Sequence, residues 1–123
     1  MTDPIECVVA RWAQAFNAHH LDELRELFAE DASFQGFGPE VMIGGASIHA
    51  YYGAVPDYRR AEDVAVLCSY PIGDGVAGGF VKVVIRDPSG WEAPVRLSLV
   101  VQCEGEQWLI RQYHVSRVSA DHN

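Results

Sequence analysis

Positive charge is scarce in this 123-residue chain: nine Lys and Arg stand against seventeen Asp and Glu, a formal net charge of −8. A surface of that sign repels phosphate backbones and anionic lipid, so nucleic acid and membrane surfaces are excluded as partners. Long apolar runs are also missing, and no stretch approaches the roughly 20 residues that cross a bilayer as a helix. The opening MTDPIECVV has neither the basic nor the apolar segment of a signal peptide, which predicts a cytoplasmic protein. Cysteine is limited to Cys7, Cys68 and Cys103, widely spaced and each set in an apolar run. Three scattered thiols build neither a disulfide framework nor a metal cluster, and they predict buried free cysteines in a reducing compartment. Linkers, repeats and low-complexity tracts are absent, so one domain over residues 1–118 with a disordered tail over 119–123 is expected.

What is present divides into helices first and strands afterwards. Asp3-Pro4 supplies an N-cap and a first-turn proline, and Ile5, Val8, Val9, Trp12, Ala13 and Phe16 follow at helical spacing. After NAHH a second helix carries Leu21, Leu24, Leu27 and Phe28 on one stripe and ends near Asp31. ASFQGFGPEVMIGG reads as a short extended piece broken by glycines, and ASIHAYYGAVP as a third helix stopped by Gly53 and Pro56. Strands are predicted over 63–71, 76–86, 91–103 and 107–117, punctuated by GDG, DPSG and EG, as an antiparallel meander. Gly78-Gly79 and Pro94 are expected to mark bulges or bends. This order argues an α+β fold, a curved antiparallel sheet of four to six strands with three N-terminal helices enclosing a conical pocket.

The last hairpin can be registered from its chemistry. With Glu104-Gly105 as a two-residue turn, Cys103 faces Glu106 and one side of the sheet gathers Val95, Leu97, Leu99, Val101, Trp108 and Ile110. The other side gathers Arg96 opposite Tyr113 and Ser98 opposite Arg111.

WAQAFNAHHLDELRELFAEDASF, GGASIHAYY and VRLSLVVQCEGEQWLIRQYHVS together resemble the nuclear transport factor 2-like superfamily, whose members include ketosteroid isomerase, limonene epoxide hydrolase, scytalone dehydratase and the SnoaL-like polyketide cyclases. The last segment is most similar to SgcJ-like proteins of natural-product pathways and to the association domain of calcium/calmodulin-dependent kinase II. The resemblance implies a pocket between the helices and the concave sheet face, with the convex face meeting a second subunit. On that basis Arg96, Ser98, Arg111 and Tyr113 are expected to line the pocket with Trp12, Phe16, Phe34 and Tyr52, and Leu99, Trp108 and Ile110 to form a homodimer surface.

The acids of the superfamily's enzymes are missing. The positions matching the isomerase's tyrosine, base and protonated aspartate hold Trp12, Gly36 and Ser98, and those matching the epoxide hydrolase's Asp-Arg-Asp set hold Val81, Val83 and Tyr113. No Asp or Glu occurs over 64–70, 76–86, 93–103 or 107–117, so a carboxylate base would come from Glu40, Glu62 or Asp63. His19 and His20 read as turn residues, His49 as a structural helix residue, and His114 as the best base among the strands. Cationic and neutral donors suit a ligand with a carbonyl or oxyanion. The expected function is therefore that of a cofactor-free, metal-free small-molecule protein. It acts as an isomerase or cyclase on an aromatic or polycyclic compound, with Tyr52, Arg96, Arg111, Tyr113 and His114 catalytic. The alternative is a non-catalytic binding or assembly module of the same fold.

Overall fold

Asp3 opens the first element as expected. Its Oδ1 accepts the Ile5 and Glu6 backbone N–H groups at 2.8 and 3.2 Å, and its Oδ2 accepts the Ser69 hydroxyl. The structure, a computed structural model, describes residues 3–118. Helix α1 (Pro4–Ala18) buries Ile5, Val8, Val9, Trp12 and Phe16, ends on His19 in the left-handed region, and is followed by α2 (Leu21–Glu26). Next come β1 (Phe28–Gln35), β2 (Met42–Ile43), α3 (Gly45–Gly53), β3 (Arg60–Gly73), β4 (Val76–Arg86), β5 (Glu92–Glu104) and β6 (Gln107–Arg117). Among the described residues no helix is long and apolar enough to cross a membrane. The tail over 119–123 lies outside the described residues.

The six strands form one curved, unclosed sheet in the order β2-β1-β6-β5-β4-β3. The meander from β3 to β6 is antiparallel, but β1 joins β6 in parallel, so the sheet is mixed. Phe28, expected on a helix, begins β1 instead, because pairing beside Ile110 overrides the local helical pattern. The helices cover one face, onto which β5 turns Val95, Leu97, Leu99 and Val101, all 2% exposed or less. Asn17 ties the end of α1 to β3, its side chain exchanging two hydrogen bonds with the backbone of Ala61 at 2.6 and 3.1 Å.

Bulges fall in β1, β3 and β6, whereas β4 and β5 pair without a shift past Gly78, Gly79 and Pro94. The two glycines serve close approach instead: a Cβ at Gly79 would stand 2.5 Å from the Cys68 carbonyl oxygen and 3.1 Å from Ile5. Three register shifts and Pro71 roughen β3, which guards an edge strand against pairing with another chain. The cysteines are not buried; Cys7, Cys68 and Cys103 are all exposed. Cys7 falls between the core positions Ile5 and Val8 of α1, on its solvent side.

Ser69 first, and then the two helix N–H groups, hold the Asp3 carboxyl below its ordinary value. A depressed carboxyl stabilises the fold above its unfolded pKa and loses that contribution as pH falls through the folded value. Asp3→Ala is therefore expected to lower stability by about 1 kcal/mol near neutral pH. The deficit should shrink in strong acid, as read from urea midpoints of the two proteins.

Candidate functional site

Between the helices and the sheet lies a cavity of about 40 Å³. Its walls come from Trp12 and Phe16 of α1, Tyr51 and Tyr52 of α3, Ile85 of β4, Val95 and Leu97 of β5, and Tyr113 and Val115 of β6. Phe37, Val55 and Arg59, from the segments flanking α3, complete the lining. Phe37 is 43% exposed, which places that side at the opening.

Aromatic rings form the floor. Phe34 stacks on Tyr113 with centroids 4.6 Å apart and planes 7° from parallel, and meets Tyr52 edge-on at 5.6 Å. Trp12 packs on Phe16 at 5.2 Å. Within this apolar layer the Trp12 Nε1–H donates to the Tyr52 hydroxyl oxygen at 2.9 Å. Burial pushes the Tyr52 and Tyr113 phenols well above the ordinary tyrosine value; Tyr52 is partly relieved by the Trp12 N–H it accepts and by the neighbouring Tyr113 hydroxyl. Both therefore stay protonated across the physiological range. An oxygen that accepts the indole N–H keeps its own hydrogen to give, and accepting that bond strengthens the donation. The Tyr52 O–H is thus the polar group the site offers a ligand.

The expected residues divide between the two faces of the sheet. Trp12, Phe16, Tyr52 and Tyr113 line the cavity, and Phe34 lies beneath Tyr113 as its stacking partner. Arg96, Ser98, Arg111 and His114 do not share that space. Arg96 is half-buried and donates to the Val95 carbonyl; Ser98 pairs with His114 across β5 and β6, on the face away from the helices. Arg111 reaches back to Asp31, donating to its carbonyl at 3.0 Å. Leu99 and Ile110, expected on an outer dimer surface, are 2% and 0% exposed in the core, and Trp108 is only partly buried.

The apolar side of β5 keeps the membership expected of it but packs under the helices, where it leaves water; the hairpin separately decides where Tyr113 points. The hairpin turn is Gly105-Glu106, with Gly105 at φ 65° as the first position of a type II′ turn requires, so Glu104 pairs with Gln107 and Cys103 with Trp108. A bulge at Arg111 then shifts the pairing again, setting Tyr113 opposite Leu99 and facing the helices.

Neither carboxylates nor imidazoles line the cavity among the described residues. Glu62 and Asp63 are bound to Arg86 at 3.0 and 2.9 Å, and Glu40 is exposed. His20 lies beside Glu23 and His49 beside Asp22, at 3.3 and 3.2 Å. Among the described residues the one charged group on the wall is Arg59, which the sequence reading passed over along with Phe37. Its guanidinium carbon sits 4.4 Å from the centre of the Trp91 ring. The doublet Arg59-Arg60 carried the signal, since neighbouring residues entering a strand point to opposite faces.

Comparison with known proteins agrees with this architecture. Residues 9–111 match the model of the SnoaL-like domain. No curated protein matches the sequence. A domain of unknown function with a cystatin-like fold from Nostoc punctiforme superposes with a TM-score of 0.82 at 20% identity, over 95% of this chain and 76% of that one. A ketosteroid isomerase-like protein from Erwinia carotovora atroseptica gives 0.78 at 14% identity, over 94% and 95% of the two chains. A candidate scytalone dehydratase from Novosphingobium aromaticivorans gives 0.81 at 15%, over 98% and 86%. At such identities the likeness is one of fold.

Proposed function

This chain belongs to the SnoaL-like domain family, and we propose that its cavity seats the carbonyl or phenolic oxygen of a small aromatic compound against the Tyr52 hydroxyl. The polarised oxygen then favours proton transfer at the neighbouring carbon, the step shared by isomerisations and cyclisations. The observation that carries this reading is the Trp12 Nε1–H bond to the Tyr52 oxygen at 2.9 Å inside an apolar, ring-lined cavity. In such a setting a fixed donor is far stronger toward developing oxyanion charge than it is in water. The proton leaves the substrate carbon for water or for a second oxygen of the substrate, since the lining offers no base. A cavity of about 40 Å³ holds a few water-sized occupants, whereas a benzene-sized guest fills roughly 150 Å³. A ring therefore enters as Phe37 at the opening turns outward.

A second reading, non-catalytic binding by the same pocket, is favoured by the absence of carboxylate and imidazole from the lining. Incubating the protein with 2-acetylnaphthalene in D2O separates the two. Proton transfer predicts methyl deuteration faster than the buffer rate and slowed in Tyr52→Phe. Binding alone predicts a raised thermal midpoint with deuteration at the buffer rate. No midpoint shift with this ketone or with 2-naphthol would contradict both.

We further propose that a second copy covers the outer sheet face, by residues other than those expected from the sequence. Tyr70, Ile72 and Phe80 are 49%, 55% and 45% exposed, and the missing side chain of Gly78 lets Tyr70 and Ile72 lie flat against β4. Large apolar side chains grouped on one exposed face mark an interaction surface. Sedimentation velocity should give a dimer, and Phe80→Lys a folded monomer; an unchanged dimer in that variant would remove this face from the interface.

A further inference from the structure

We propose that the cavity mouth is a carboxylate subsite built by Arg59, with Trp91 as its platform and Arg117 beside it. The ligand would then be an aromatic acid whose carboxylate rests at the mouth while its ketone or phenol oxygen meets Tyr52. The inference rests on the reading of the cavity as a ligand site.

Comparison among the arginines singles out Arg59. Arg86 binds Glu62, Asp63 and Glu92; Arg111 binds Asp31; Arg60 donates to the Asp57 and Arg59 carbonyls; Arg11 and Arg96 each reach a backbone carbonyl; Arg25 lies against Gly45, away from the cavity. Arg59 alone lines the cavity, and its Nε is buried without any hydrogen-bond partner. A guanidinium nitrogen left unpaired is costly, and an anion at this guanidinium would offset that cost. The charge of Arg59 is felt at Asp87, whose carboxyl is held low first by the Ser89 hydroxyl and only lastly by Arg59. No Arg59–Asp87 ion pair within 4.0 Å forms, and Asp87 Oδ1 is taken by the Ser89 N–H and hydroxyl.

Trp91 holds the Arg59 guanidinium at 4.4 Å, and Arg117 approaches both Trp91 and Phe37 at 5.8 Å. Among the described residues neither Arg59 nor Arg117 has a carboxylate partner. A stacked guanidinium keeps its edge N–H groups in a fixed fork, the geometry that matches a carboxylate. The chain as a whole repels anions, so two unpaired arginines at the opening mark where an acid can enter and which end it leaves outside.

Titration calorimetry with 6-hydroxy-2-naphthoate and its neutral carboxamide tests this, since both carry the phenol and only one the charge. At low salt the acid should bind about tenfold more tightly, as one charge-assisted contact at a half-exposed site allows. The advantage should shrink with added salt and fall to within about twofold in Arg59→Gln. Equal binding of acid and amide to the unaltered protein would overturn the carboxylate subsite and leave the cavity reading standing. Binding of neither compound would overturn both. An acid preference that survives intact in Arg59→Gln would also overturn it. Should that variant not fold, a preference in the unaltered protein that salt does not reduce would do the same.

Discussion

Trp12→Ala is expected to cost about 3–5 kcal/mol of folding stability, which for a domain of this size consumes much of the roughly 5–15 kcal/mol available. Trp12 is 2% exposed, packs on Phe16 and Tyr113 at 5.2 and 6.3 Å, and donates a hydrogen bond to Tyr52. Alanine removes the ring contacts, opens a void under the helices and leaves the Tyr52 oxygen without that donor. Trp12→Phe keeps most of the packing and loses the N–H, for a cost of about 1 kcal/mol beyond the change in ring size. Urea unfolding of the three proteins checks this, with the midpoint moving and the slope unchanged. Equal losses in the two variants would show that the hydrogen bond, rather than the packing, dominates.

The second large effect is on ligand. Tyr52→Phe is expected to weaken binding of 2-naphthol by about 10- to 100-fold, the range for one buried hydrogen bond whose loss leaves a ligand oxygen unpaired. Naphthalene itself should bind the variant as well as it binds the unaltered protein, because the ring walls are untouched. Tyr113→Phe should give a smaller loss. Its hydroxyl belongs to the cavity lining beside Tyr52, so its removal leaves the Tyr52 donor in place. Competition against a fluorescent naphthalene probe measures all three affinities, and parallel losses for naphthol and naphthalene would mean that the hydroxyl only shapes the cavity.

Much of the architecture was legible because its signals are local and redundant. The Asp3-Pro4 cap, the apolar spacing through Phe16 and the turn residues between strands each point the same way, and the structure repeats them. The parallel pairing of β1 with β6 left no such trace. Phe28 and its neighbours complete a plausible helical stripe, and only the long-range ladder reveals them as a strand. The site failed at two steps. The resemblance put the apolar side of β5 on the outer face, whereas it packs under the helices; and CEGEQ admits a two-residue turn at Glu104-Gly105 as well as the observed Gly105-Glu106. Nothing in the sequence marks Arg111 as a bulge, yet that residue decides which way Tyr113 points. The rings were found because large apolar residues on α1 and α3 have one place to go. The arginines were misassigned because a cation on a strand is equally at home on either face. Arg59 and Arg117 close the cone from segments far apart in the chain, and only the fold brings them to Trp91.

The most direct test of the Tyr52 donor is the infrared stretch of an isotopically labelled carbonyl in bound 2-acetylnaphthalene. A ketone oxygen held by the Tyr52 hydroxyl should absorb at clearly lower frequency than the same ketone in alkane, and should return toward the alkane value in Tyr52→Phe. A bound carbonyl that absorbs at the same frequency in both proteins would show that its oxygen never meets that hydroxyl.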